Sequence, residues 1–287
     1  MSYRRCASPF HSARAAAGCA YCLALAVAAL ALSAPVVLAT VLLAILAAAA
    51  GAGVGRQVLR ASPFALGLAL TLALINALVT RDGLTVIARL GHWPVLGRVD
   101  VTLEATTYGG ILALRGIAVI LCAALYTAAV DPDEVLKLFR RVSFRSALTA
   151  TLATRMFPVL ARDARRLAEA QRCRPGRPPT RVQLMRVATT GMLDRALDVA
   201  AALEVRGYGA AHRPPPARRP YSRHDLSFGA AAAAILLLTL AIRVFGLAPF
   251  RAYPSLHAPI GVSQLVSAAA LLVIALLPFA DRRGIER

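Results

Sequence analysis

The chain has 287 residues, of which 58% are hydrophobic, and its mean hydropathy is +0.63. Soluble domains are usually about 45–50% apolar, so this composition indicates a membrane protein. The apolar runs are long and continuous, which excludes the short alternating strands of a transmembrane barrel and favours helices. The net charge is +19 and comes almost entirely from arginine, because Lys137 is the only lysine. In a membrane protein, surplus arginine marks the cytoplasmic side.

The first apolar block covers residues 15–50 and is interrupted by Ser33, Ala34 and Pro35. As one helix it would be roughly 54 Å long at 1.5 Å per residue. The hydrocarbon core of a bilayer is only about 30 Å thick. The block therefore predicts two short spans that turn at Pro35. A cleaved signal peptide is the rival interpretation, but apolar sequence resumes at once after the break.

Four further spans are predicted, at residues 62–79, 108–130, 228–247 and 260–279, with a polar connector at 80–107. The distribution of arginine places both termini, a short turn with Arg56 and Arg60, and a large charged region in the cytoplasm. The fold class is therefore an all-α membrane protein with about six transmembrane helices and both termini cytoplasmic. Its predicted parts are residues 1–130 with four spans, 131–225 as a cytoplasmic region, and 226–287 with two spans.

Two arginines fall within predicted spans. A charge at the centre of a bilayer costs at least about 2.5–3.5 kcal/mol on insertion scales. Arg243 lies near the outer end of its span and can extend its head group to the interface. Arg115 lies about two turns into its span, and we expect it to pair or to extend outward. A role for Arg115 in substrate binding is the alternative.

Cys19 and Cys22 form a C-x-x-C pattern at the start of an apolar helix. The sequence has no second such pair and no histidine nearby at metal-ligand spacing. We interpret both cysteines as small apolar packing residues rather than as a redox or metal site.

The cytoplasmic region predicts three helices. The first begins with Asp131 as a cap and Pro132 at the first helical position. A second, amphipathic helix covers about residues 145–174, and it is too charged to cross a bilayer. A third covers about residues 182–206 and ends at Gly207.

The second and third of these helices end alike. Arg174 is followed by Pro-Gly and Arg206 by Gly-Tyr-Gly, and the two arginines are 32 positions apart. The simple interpretation is a helix cap, in which a cation near the negative end of the helix dipole contributes about 0.3–1 kcal/mol. Two matching ends in one basic region favour a second interpretation, docking onto carboxylates, because the guanidinium fork pairs with them bidentately.

Autonomous catalysis has little support in the sequence. A phosphate-binding loop needs glycines before a lysine, and Lys137 follows Asp-Glu-Val-Leu. The five histidines are scattered, and no hydrolase or zinc-protease motif occurs. The prediction is a chain that is not an enzyme and binds no cofactor and no metal, so an ATPase that drives transport must be another chain.

The runs "FRSALTATLATRMFPVLARDARRLAEAQRCRPG" and "LDRALDVAAALEVRGYG" resemble the transmembrane T component of energy-coupling factor (ECF) transporters, the family that includes CbiQ. The family's signature is two Ala-Arg-Gly-type motifs at the ends of two cytoplasmic coupling helices, whose arginines insert into grooves of two ATP-binding-cassette subunits. This chain departs from the first motif, where proline follows the arginine and glycine comes one position late. The ATPase-coupling residues that the resemblance implies are Cys173, Arg174, Pro175, Gly176, Val205, Arg206 and Gly207.

The resemblance implies a scaffold in the bacterial plasma membrane. It would couple ATP hydrolysis, with ATP and magnesium bound by the two partner ATPases, to uptake of a vitamin or a transition-metal ion. A small membrane substrate-binding (S) subunit would capture that cargo, and no nucleic acid would be bound. The membrane-facing sides of the coupling helices would dock the S subunit through Met156, Leu160, Leu167, Leu197 and Ala201.

Two other classes of function remain open at this point. A secondary transporter or membrane enzyme could work without ATPase partners, using Arg115, Asn76 or the Cys19–Cys22 pair. A membrane-anchored nucleic-acid binder could use the arginine-rich region. That region contains many acidic residues and lacks the aromatic platform of single-strand binders.

Overall fold

The structure is a computed structural model that describes residues 7–79, 85–93, 97–139, 144–173, 181–207, 221–250 and 261–281. Within them the chain forms eleven helices and one two-stranded sheet. The predicted class, a helical membrane protein, is confirmed. The helices are α1 (Pro9–Ser12), α2 (Ala15–Ala31), α3 (Pro35–Gly51), α4 (Gly55–Leu59), α5 (Ser62–Val79), α6 (Leu103–Ala129), α7 (Pro132–Phe139), α8 (Phe144–Arg172), α9 (Arg181–Val205), α10 (Arg223–Phe245) and α11 (Val262–Ala280), and the strands are β1 (Val86–Trp93) and β2 (Gly97–Thr102).

In the described parts of the chain, four helical segments are long and apolar enough to cross a membrane. They are Gly55–Ala77, Leu103–Ala129, Arg223–Phe245 and Val262–Ala280. Two further apolar helices, α2 and α3, have 17 residues each. Each of these two is about 25 Å long at 1.5 Å per residue, slightly less than the thickness of a hydrocarbon core. The prediction of six spans depends on these two shorter helices.

The chain divides into two compact units. Unit 1 comprises Met1–Val135 and Tyr221–Arg287, and unit 2 comprises Leu136–Pro220. The helices α1 to α6, α10 and α11 belong to unit 1, and α8 and α9 belong to unit 2. The boundary falls within α7.

The first apolar block is a helical hairpin, as predicted. Near the start of α2, the hydroxyl of Tyr21 donates a hydrogen bond of 2.8 Å to the carbonyl oxygen of Ala275, late in α11. At the end of α3, Gly51 lies so close to Phe279 of α11 that a Cβ there would be 2.6 Å from the ring. The start of α2 and the end of α3 therefore lie at the same end of α11. The two helices run in opposite directions, with Pro35 as the first residue of α3.

The contacts of α6 continue this alternation of direction. Gly109, early in α6, packs against Ala73 near the end of α5. Val130, directly after α6, contacts Gly18 near the start of α2. Thus α6 runs back toward the end of unit 1 where α2 begins.

Two carboxylates stabilise the start of α2. Asp225 of α10 accepts hydrogen bonds from the backbone N–H groups of Arg14 (2.6 Å) and Ser222 (2.9 Å), and it forms an ion pair with the Arg14 guanidinium at 3.2 Å. Glu134 of α7 accepts a bond from the N–H of Ala15 at 3.2 Å. The first N–H groups of a helix have no partner within it and carry positive partial charge, so carboxylates are favoured there. The chain leaves unit 1 and re-enters it beside these bonds.

An aromatic cluster fills unit 1 at the same end. Phe228 is completely buried, with ring centroids 5.1 Å from Phe10 and 5.4 Å from Tyr21, both in edge-to-face geometry. Phe279 completes the cluster at 5.2 Å from Phe228. Edge-to-face pairs place a positive ring edge against a negative ring face, which is the favoured arrangement. The cluster joins α1, α2, α10 and α11.

Two carbonyl groups at the opposite end of α2 bind the intramembrane arginines. Arg115 donates from Nη2 to the carbonyl oxygen of Leu32 at 3.1 Å, and Arg243 donates from Nη1 to that of Ala31 at 3.4 Å. The last carbonyl groups of a helix lack partners within it and attract cations. The expectation that Arg115 pairs is confirmed.

The predicted polar connector is partly wrong. It contains the antiparallel hairpin of β1 and β2, and α6 begins at Leu103, five residues earlier than predicted. Thr102 caps this helix by accepting from the N–H of Ala105 at 3.3 Å. Glu104 is only 2% exposed and accepts hydrogen bonds from the N–H and the hydroxyl of Thr85. The early start was missed because a charged residue in this segment indicated a solvated loop, whereas its carboxylate is buried and bonded.

Candidate functional site

The end of α9 positions the first predicted coupling arginine. The N–H of Arg206 still donates to the carbonyl oxygen of Ala202 at 3.2 Å, so this residue continues the last turn. Gly207 then adopts a φ of 74°, and its N–H donates to the carbonyl oxygen of Glu204 at 2.8 Å. A residue in the left-handed backbone conformation ends a helix, and glycine adopts that conformation without steric cost. The backbone therefore explains the helix end, as predicted.

The side chains at this end are open to solvent. Val205 is 90% exposed and Arg206 is exposed as well. Among the described residues, the Arg206 guanidinium has neither an ion pair nor a side-chain hydrogen bond. A guanidinium has five donors in a planar fork and is always charged near neutral pH, so it can pair bidentately with a carboxylate that is brought to it.

The corresponding end of α8 is described only as far as Cys173. This residue is exposed, and its N–H donates to the carbonyl oxygen of Glu169 at 3.3 Å. The other members of the first predicted motif, Arg174, Pro175 and Gly176, lie outside the described residues.

The five residues predicted to dock the S subunit have different surroundings. Met156, Leu160 and Leu167 of α8 are half-buried, whereas Leu197 and Ala201 of α9 are exposed. Leu160 and Leu167 line a groove between α8 and α9, so their side chains partly face the other helix. Within the described residues, the structure does not bring all five onto one open surface.

Sequence reasoning missed several apolar side chains that are open to solvent on the same two helices. On α9 the signal was the placement of large apolar residues among polar ones, but only Leu197 and Ala201 of that helix were predicted to dock. The missed side chains are Phe157 at 73% exposure, Val182 at 75%, Met185 at 68% and Leu193 at 63%.

An ion pair connects the two helices. Arg195 of α9 donates from Nη1 to the Asp163 carboxylate of α8. The side chains are 40% and 39% exposed. The pair lies beside the groove that Leu160 and Leu167 line. It holds the middle of α9 against α8.

The residues considered for other functions have structural contacts. Arg115 binds the carbonyl group at the end of α2, and Cys122 donates from its Sγ to the carbonyl oxygen of Cys22 at 3.1 Å. Asn76 packs against α6 at Gly109. In the part of the chain that the structure describes, no group of three or more His, Cys, Asp or Glu side chains could hold a metal ion.

Comparison with known proteins identifies the family. The family model CbiQ, described as cobalt transport protein, matches residues 7–216, and no curated protein matches the chain. The matched segment covers well over half of the chain and extends from before α2 to beyond α9. Together with the long apolar helices, the match shows a multi-pass membrane protein that is a membrane component of a transporter. The chain belongs to the CbiQ family of cobalt transport proteins.

Proposed function

We propose that this chain is the T subunit of an ECF-type ABC importer. It couples ATP hydrolysis in two partner ATPase subunits, which bind the ATP and magnesium, to uptake of a vitamin or a transition-metal ion. A separate small membrane subunit binds that cargo, and the description of the family favours cobalt. The observation that carries the proposal is the exposed Arg206 at the end of α9 in a chain of the CbiQ family.

The geometry of α9 supports a docking role for this arginine. Gly207 alone is enough to end the helix, so Arg206 is not needed for that purpose. A cation near a helix end contributes only about 0.3–1 kcal/mol, and most of that at low salt. A guanidinium at an exposed tip reaches a carboxylate-lined groove without a change of backbone, and it pays little desolvation before contact.

The architecture of unit 1 supports a mechanical role. Glu134 and Asp225 both bind the start of α2, beside the two points where the chain passes into unit 2 and returns. A force applied to unit 2 by an ATPase therefore reaches α2 by two routes. This arrangement suits a subunit that transmits motion rather than one that performs chemistry.

The competing function, a secondary transporter or membrane enzyme without ATPase partners, has less support. Arg115 and Cys22, two of its candidate residues, make hydrogen bonds that join helices, Cys22 through its backbone carbonyl oxygen. A membrane location is common to both functions and does not distinguish them. The family match and the exposed end of α9 favour the ATPase-driven function.

The test is co-purification from the native host in mild detergent, followed by uptake in cells that lack the ATPase genes. We expect two ATP-binding-cassette subunits, or a homodimer of one, to co-purify with the chain in stoichiometric amounts. Uptake of the cargo is expected to stop when the ATPases are deleted. Recovery of the chain alone, with unaltered uptake in the deletion strain, would contradict the proposal and favour the secondary transporter.

A further inference from the structure

The Asp163–Arg195 ion pair lies in the groove between α8 and α9, and both residues are part of its lining. Each side chain is about three-fifths covered, so water screens the pair less than it screens a fully exposed one. Asp194 and Asp198 line the same groove and add negative potential around the guanidinium. Charge and partial burial together hold Arg195 at this point of contact.

Few of the described side chains of α9 are covered. Among the side chains of α9 that the structure describes, Arg195, Val199 and Leu203 are half-buried and all others are exposed. Residues four apart lie above one another on a helix, so these three form a single line. Apolar contact is non-directional, so contact of this limited extent does not by itself fix the angle at which the two helices cross.

The two residues of the ion pair lie the same number of residues before the two predicted coupling arginines. Asp163 lies ten residues before Cys173, and Arg195 lies ten residues before Val205. The next residue in each case is a predicted coupling arginine. At 1.5 Å per residue, each arm from the pair to its helix end is about 15 Å long. The two arms are equal in length, with the pair at their common origin.

This geometry makes the separation of the two ends sensitive to the crossing angle. For arms of about 15 Å, a change of about 10° in the angle displaces each end by roughly 2–3 Å relative to the other helix. A misplacement of that size is enough to take a guanidinium out of bidentate contact with a carboxylate, because such bonds need heavy atoms within about 3 Å. The ends of α8 and α9 can dock together only if the crossing is fixed.

We propose that Asp163 and Arg195 are positioning residues that fix the crossing of α8 and α9 and thereby set the distance between the two helix ends. The role of those ends in ATPase docking rests on the proposed function, whereas the effect of the pair on their distance does not. The pair acts on coupling through the ends and touches no nucleotide or cargo.

The distance between the helix ends can be measured directly in the full-length protein in lipid nanodiscs. One spin label is attached to the native Cys173, and a second to Val205→Cys, which replaces a 90% exposed side chain. The remaining cysteines are replaced by alanine. Double electron–electron resonance then gives the distribution of distances between the two labels.

With the pair intact, we expect one narrow distribution. Asp163→Asn and Arg195→Gln should each broaden it or shift its mean, by up to roughly 2–3 Å for each change of about 10° in the crossing angle. Exchanging the charges, with Asp163→Arg and Arg195→Asp in one chain, should restore a narrow distribution, because the attraction is rebuilt. Glu169→Gln is the matched control, since it removes an exposed carboxylate of α8 that lies outside the groove.

An unchanged distribution in Asp163→Asn would overturn the proposal. So would a broadening in Glu169→Gln as large as in Asp163→Asn, or a charge exchange that fails to restore the narrow distribution while the protein still inserts. If the distances respond as expected but no ATPase co-purifies, the positioning role stands and the proposed function fails. If ATPases co-purify but the distances do not respond, the proposed function stands and the positioning role of the pair fails.

Discussion

The two units of this protein differ sharply in how much of their surface they bury. In unit 1, side chains such as Leu25 and Phe228 are completely covered, and polar groups join helices that are far apart in sequence. In unit 2, none of the described side chains is buried, and Val205 is 90% exposed. Unit 1 is therefore stabilised by its own internal packing. The helices of unit 2 expose side chains that other molecules can contact.

The exposed apolar residues of the two units have different explanations. On α5, Phe64 and Leu70 are 70% and 72% exposed in a helix with no charged side chain, which suits contact with lipid tails. On α9, Met185 and Leu193 are similarly exposed but alternate with arginine and aspartate. A charged helix of this kind cannot cross a bilayer, so its apolar residues suit a protein surface or the membrane interface.

The largest loss of stability is expected from Phe228→Ala, which truncates a buried side chain of unit 1. Truncating a buried phenylalanine to alanine loses the transfer free energy of the removed atoms and leaves a cavity, so the free energy of unfolding should fall by about 3–5 kcal/mol. The change should lower the melting temperature of the detergent-solubilised protein. Phe64→Ala, which truncates an exposed phenylalanine, is the control and should change it little. Equal losses for both would mean that the aromatic cluster does not stabilise unit 1.

Close packing in unit 1 can also be tested by adding side-chain volume, with Gly51→Val. A Cβ at this position would lie 2.6 Å from Phe279, so the added side chain must displace the ring or the helix. Overpacking of this kind typically costs about 1–3 kcal/mol. Gly229→Val is the matched control, because no heavy atom lies within 4 Å of its Cβ position. Thermal unfolding should separate the two variants, and identical curves would contradict the close approach of α3 and α11.

A smaller loss is expected from Asp225→Asn, at the point where unit 1 meets the chain returning from unit 2. Asparagine keeps the shape but loses the charge that Arg14 and two backbone N–H groups bind. Bonds to charged groups contribute about 1.5–3 kcal/mol, and the amide retains part of this, so we expect a loss of about 1–2 kcal/mol. Glu169→Gln, which removes an exposed carboxylate outside the groove, is the control. A stability equal to that of the wild type would show that this ion pair does not stabilise the start of α2.

Much of unit 1 could be predicted from the sequence because lipid imposes a simple rule. A long apolar run must be a helix, and its length must match the bilayer. The span predicted at residues 62–79 coincides with α5, and the break at Pro35 separates α2 from α3. The ends of α8 and α9 were also predicted within two residues, since glycine and proline end helices for local reasons.

What could not be predicted depends on contacts between distant residues. The hairpin of β1 and β2 lies in a segment without a strong alternating pattern, and the buried Glu104 is bound by Thr85, a residue 19 positions earlier in the chain. The Asp163–Arg195 pair joins residues of two helices, and no periodicity within either helix indicates which charges will meet. Local patterns predict elements, whereas pairings across elements need the structure.

The central claim is that Arg206 serves association rather than stability, and its substitution by glutamate tests this claim most directly. We expect Arg206→Glu to insert normally and to lose at most about 1 kcal/mol of stability, the value of a helix cap. The same variant should fail to co-purify the ATPases and should abolish uptake. Arg174→Glu is expected to act likewise but less completely.

Arg186→Glu is the matched control, because it reverses an exposed arginine on the same helix away from its end. Co-purification of ATPases with the solubilised chain, measured for wild type, Arg206→Glu and Arg186→Glu in parallel, is the decisive comparison. The account predicts stoichiometric ATPases with the wild type and the control and none with Arg206→Glu. Normal assembly and uptake in Arg206→Glu would contradict it and leave Arg206 as an ordinary helix cap.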